Sequence, residues 1–171
     1  VKIVRPVFIV ERSGRYRASA DMSIGGGTVG SIALGAATAN VLINNDVARL
    51  TDLNADVMNG KLDGNLAIAL DDRTRSDIDV NFNNLDLSKL IALQSGRVIP
   101  LQGQTSGTAK LSYPGGDWNR ATGNIDARIV ANAGDDAATA IPINGNVAVN
   151  ATDGLFNIAN LDLKTDKSSV T

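Results

Sequence analysis

Alternation with a period of two over nine positions is the feature that most narrows what this chain can become. Leu62, Gly64, Leu66, Ile68 and Leu70 fall on one parity, while Lys61, Asp63, Asn65 and Ala67 fall on the other. Successive side chains of a strand point to opposite faces, so a period of two builds a sheet with one apolar and one polar face. After the turn residues Asp71, Asp72, Arg73 and Thr74 the rhythm resumes, with Ile78, Val80 and Phe82 set against Asp77, Asp79, Asn81 and Asn83. The two runs read as a hairpin.

The same design recurs along the chain. Ala121, Gly123, Ile125, Ala127 and Ile129 alternate with Thr122, Asn124, Asp126 and Arg128. Ile141, Ile143, Val147 and Val149 read as one strand against Asn144, Asn146, Ala148 and Asn150, and Leu161 and Leu163 stand against Asp162 and Lys164. Leu53, Ala55 and Val57 repeat the parity, and residues 1–10 and 16–24 read as strands, whereas Gly25, Gly26, Gly27 and the Ala-rich run after them carry a weaker signal. Gly64, Gly103, Gly107, Gly123 and Gly145 interrupt strand patterns, where glycine marks a bend, a bulge or a close approach. One segment leaves the period of two: Leu87, Leu90 and Ile91 have helical spacing, with Asp86 or Ser88 placed to cap a short helix. That helix is expected to plug one end of the sheet.

Composition removes most chemistry. The chain holds neither His nor Cys, so imidazole bases, thiol nucleophiles and the commonest transition-metal ligands are missing. Apolar residues are 43% of the chain but aromatics only 4%, so aliphatic side chains must supply the interior. The net charge of −2 and the lack of a basic stripe with interleaved aromatics argue against nucleic acid. The acid pairs Asp71–Asp72 and Asp135–Asp136 could hold a cation or serve acid–base work, but neighbouring strand residues diverge and Asp is favoured in turns for backbone reasons. The glycine run ending at Gly30 lacks the Lys-Ser/Thr of a phosphate loop. Trp118, after Pro114, Gly115 and Gly116, reads as a turn aromatic covering a sheet edge. No catalytic residue, metal or cofactor is expected. The chain starts at Val1 and has no signal peptide or long apolar run, which reads as an excerpt from a longer polypeptide.

Residues 53–70 (LNADVMNGKLDGNLAIAL), then DIDVNFNNLDLSKLIAL and PLQGQTSGTAKLSYPGGDWNRATGNIDARI, resemble the repeat region of the AsmA/TamB family of bacterial envelope proteins. The matching pieces are a strand with a Gly-containing turn at 59–70, the short helix at 85–93, and strands at 101–111 and 123–129. The closing LFNIANLDL looks like the start of another unit, so the resemblance covers roughly residues 50–165 of a single fragment, 1–171.

The resemblance implies an all-β fold: a curved, mainly antiparallel sheet forming an elongated trough (a β-taco) with one short helix. It also implies a parent anchored in the inner membrane of a Gram-negative cell. That parent would span the periplasm and move phospholipids towards the outer membrane. Its expected partners are phospholipid acyl chains, adjoining repeats of the same polypeptide and an outer-membrane assembly barrel. The residues expected to line the groove are Leu62, Leu66, Ile68, Leu70, Ile78, Val80, Phe82, Leu111, Ile125, Ile129, Val147, Val149, Leu161 and Leu163. A nine-residue strand is about 30 Å long, against about 15 Å for one hydrocarbon leaflet, so its apolar face can shelter an acyl chain. Two rival readings fit the alternation: a structural or adhesive β-solenoid or sandwich of a secreted surface protein, and a β-helix enzyme acting on carbohydrate through its Asp pairs.

Overall fold

The computed structural model describes residues 1–29, 32–95, 101–131, 141–165 and 168–171. Its elements are β1 (Lys2–Val10), β2 (Tyr16–Ile24), β3 (Gly27–Val29), β4 (Ile32–Asn44), β5 (Val47–Val57), β6 (Gly60–Ala69), β7 (Arg75–Asp86) and α1 (Leu87–Ser95). There follow β8 (Leu101–Gln102), β9 (Gln104–Pro114), β10 (Thr122–Val130), β11 (Ile141–Pro142), β12 (Asn144–Thr152), β13 (Leu155–Lys164) and β14 (Ser169–Val170). The main sheet runs β1-β2-β4-β5-β6-β7-β9-β10-β12-β13-β14, with β3 alongside β4, and every pair in it is antiparallel. It does not close, and forms a curved trough. Eleven strands side by side, at about 4.8 Å per step, make the trough about 48 Å long.

Register keeps the two parities apart from strand to strand. One row reads Ala20, Val41, Leu50, Leu66, Ile78, Leu111, Gly123, Ala151, Phe156. A row of the other parity reads Ser23, Thr38, Asn54, Asp63, Asn81, Thr108, Asp126, Ala148, Asn160. A slip of one residue anywhere would exchange the two faces, so the apolar lining itself fixes the register.

Curvature comes from two devices. The first is the β-bulge: Arg5, Asp52 and Asn84 have φ of 51°, 52° and 55° where the register shifts. An extra residue in the left-handed region bends the strand and raises its twist. Side chains next door accept from loosened backbone groups, the Asn84 N–H donating to Ser106 Oγ at 2.9 Å and the Asp52 N–H to Asn65 Oδ1 at 3.4 Å, while side-chain bonds from Asn40 Nδ2 to Asp52 and from the Arg5 guanidinium to Asp21 brace the bulges. The second device is glycine. Gly64 and Gly123 sit at φ of +145° and +147°, and a Cβ there would collide with the carbonyl oxygens of Asp79 and Lys110.

Two strands expected to be continuous are broken. Residues 101–111 divide at Gly103 and residues 141–150 divide at Ile143, because β8 and β11 leave the main sheet to form a parallel pair. Gly103 accepts from the Leu87 N–H at 3.1 Å and Ile143 N–H donates to Gln102 O at 3.1 Å, which ties this pair to the start of α1. The Ala-rich run becomes the thirteen-residue β4, whose Ala37 and Ala39 are buried. Small side chains suit the inside of a bend.

Candidate binding trough

The inner face is built by parity alone, and it joins the expected lining residues. Register places Leu62, Leu66, Ile68, Ile78, Val80, Phe82, Leu111, Ile125, Ile129, Val147, Val149, Leu161 and Leu163 on one face. Leu70 lies one residue beyond β6, at the rim, where its N–H donates to Asp46 O at 2.7 Å. Among the described strand residues this face carries no Asp, Glu, Lys or Arg other than at the Arg5 bulge. The charged residues stand on the outer face, where Lys61–Asp56, Lys110–Asp79 and Lys164–Asp162 form exposed pairs of 3.0, 3.3 and 3.4 Å. Such pairs contribute little stability, and their consequence is a wet outer surface.

Accessibility along this face falls towards the α1 end on β5 and β6, whereas Ser76, Leu111, Ala121 and Ala151, towards the opposite end of β7, β9, β10 and β12, are buried as well. At the α1 end, Ala37, Ala55, Val57, Phe82 and Leu85 form a buried cluster, with Leu62, Ala109, Ile125 and Ala127 packed against it. Beside it, Leu87 of α1 joins Ile129 and Ile143, with Ile91, Leu101, Val147 and Leu163 around them. The cap is Asp86, whose Oδ1 accepts from Ser88 N–H at 3.0 Å and Lys89 N–H at 3.3 Å. The helix therefore closes one end of the strands, as its spacing implied. At the opposite rim Ile68 is 42% exposed and Leu70 53%, against 8% for Phe82. Trp118 stands at this rim, itself 45% exposed, edge-on to Tyr113 at 5.7 Å and stacked on Phe156 at 6.1 Å between ring centroids.

The alternation also hid part of the lining. Ile3, Phe8, Ala18, Ala20, Met22, Val41 and Ile43 line a groove of about 400 Å³ between β1, β2 and β4, which Pro6, Val7 and Ser19 also border at the Arg5 bulge. Alanine is ambiguous between faces and the Ala-rich run blurred the period, so the sequence signal for this section was weak.

The acids behave as turn residues where they are described. Asp71 Oδ1 accepts from the Thr74 N–H at 2.8 Å, and hydrogen bonding from Thr74 holds its carboxyl below the usual aspartate range. Asp135 and Asp136 lie outside the described residues. Among the described residues no group of three or more His, Cys, Asp or Glu could hold a metal, and no helix is long and apolar enough to cross a membrane. No protein-family model, curated protein or solved structure matches this chain.

Proposed function

We propose that the trough is a section of a periplasm-spanning hydrophobic groove that carries phospholipids between the inner and outer membranes, in a parent of the AsmA/TamB kind. The observation that carries this reading is the continuous apolar inner face, crossed from β1 to β13 mainly by aliphatic and small residues, with Ile68 and Leu70 exposed at the rim. Acyl chains need a dry wall without fixed polar partners, and headgroups need water; an open trough supplies both. Half-exposed Leu66, Ile125, Val147 and Val149 are the surface a chain would slide over, whereas buried Val80, Phe82, Leu111 and Ile129 hold the floor. Adjoining repeats of the same polypeptide would extend the groove from its β14 edge, with an outer-membrane assembly barrel as the distal partner.

The buried cluster beside α1 favours one other reading, a purely structural β module whose inner face serves only as core. Extraction of the purified chain followed by lipid mass spectrometry separates the two. The conduit carries co-purifying phospholipid, displaced by added detergent; a chain that never holds phospholipid, even after incubation with it, contradicts the proposal.

A further inference from the structure

Strand β1 has a composition that neither the trough nor the sheet explains. All nine of its residues are exposed. Its inner parity is apolar like every other strand, with Ile3, Phe8 and Val10 facing Met22, Ala18 and Tyr16. Its outer parity is apolar too: Val4, Val7 and Ile9 stand where β2 offers Asp21, Ser19 and Arg17. Val7 is 51% and Ile9 52% exposed. A strand apolar on both faces is normally covered on both.

Charge accompanies this apolar row. Residues 1–17 hold five Lys and Arg against one acid, although the whole chain carries a net −2. Asp21 neutralises Arg5 and Glu11 pairs with Arg15 at 3.1 Å, which leaves Lys2, Arg12 and Arg17 making no ion pair among the described residues. Lys2 and Arg17 belong to the outer face at the two ends of the row, and Arg12 to the hairpin tip. A partner strand is a poor occupant. The Arg5 bulge and Pro6, which has no N–H, interrupt the edge at its middle, a device that blocks strand addition. An apolar row bracketed by unpaired cations instead matches a bilayer surface, where aliphatic side chains enter the acyl boundary and cations meet headgroup phosphates.

We infer that the outer face of β1 docks on an anionic lipid bilayer, through Val4, Val7 and Ile9 with Lys2, Arg12 and Arg17. This needs β1 alone and stands apart from lipid carriage in the trough. Co-sedimentation of the 171-residue chain with vesicles of phosphatidylcholine, with and without phosphatidylglycerol, tests it. Binding is expected only with phosphatidylglycerol, falling as salt rises. Arg12→Gln and Arg17→Gln should each weaken it roughly fivefold. Val7→Ser with Ile9→Ser should weaken it comparably, and Lys110→Gln on the outer face of β9, far from β1, should leave it unchanged. Circular dichroism checks that each variant is folded. Equal binding to both vesicle types, full binding by the Val7/Ile9 variant, or an equal loss in Lys110→Gln would overturn the inference. So would a concentration-dependent dimer, dissolved by the same β1 variants, in a chain that ignores vesicles.

Discussion

Gly64 and Gly123 owe their place to two constraints acting together: a φ that L side chains rarely adopt, and a neighbouring strand's carbonyl oxygen where Cβ would stand. Either substitution to Ala combines backbone strain with overpacking, so a loss of about 3 kcal/mol is expected. Gly116→Ala meets nothing within 4 Å and should stay within about 0.5 kcal/mol of the parent. Urea unfolding midpoints measure the contrast, and equal midpoints for all three variants would remove glycine from the account of curvature. Asp71 supplies a pH effect of definite sign. Its carboxyl is held below the ordinary value by the Thr74 hydrogen bonds, so its stabilisation is present above about pH 4 and fades as pH falls through the depressed value. Asp71→Ala should therefore lower the melting temperature near neutrality and flatten its fall on acidification, as a thermal melt series will record.

At the scale of elements, α1 depends on one carboxylate and one leucine. Asp86→Ala leaves the Ser88 and Lys89 N–H groups without their acceptor and should cost about 1 kcal/mol. Leu87→Ala opens a cavity beside Ile129 and Ile143 and should cost about 2–4 kcal/mol. Both are read by chemical denaturation, and a silent Leu87→Ala would mean that α1 does not close that end. The sequence made this helix and the long strands legible because their periods, 3.6 and 2, are carried by Leu, Ile and Val, which mark a face unambiguously. Strand β4 was obscured because Ala marks no face. The breaks at Gly103 and Ile143 were obscured because parity continues through both positions, and only the pairing of β8 with β11 separates them from the main sheet. Bulges at Asp52 and Asn84 left no signal either, since each replaces one polar residue by two, and the bulge of Arg5 and Pro6 opposite Ala20 was hidden because β1 is apolar on both parities.

For the whole molecule, the shared face of these residues was legible from parity, while the differences in access along it were not, because they arise from curvature that sums over many strands. Those differences are testable. Phe82→Asp buries an unpaired carboxylate in the packed end and should unfold the chain or cost more than about 3 kcal/mol. Ile68→Asp, at the open rim, should cost about 1 kcal/mol because its carboxylate reaches water. Similar losses at both would describe a sealed core. Lipid contact itself is tested most directly by placing a photo-reactive residue at Ile125 on the inner face and, separately, at the adjacent Asp126 on the outer face, then irradiating the chain with phospholipid. The trough predicts a phospholipid adduct at 125 and none at 126; adducts at both positions, or at neither in a folded chain, would contradict it.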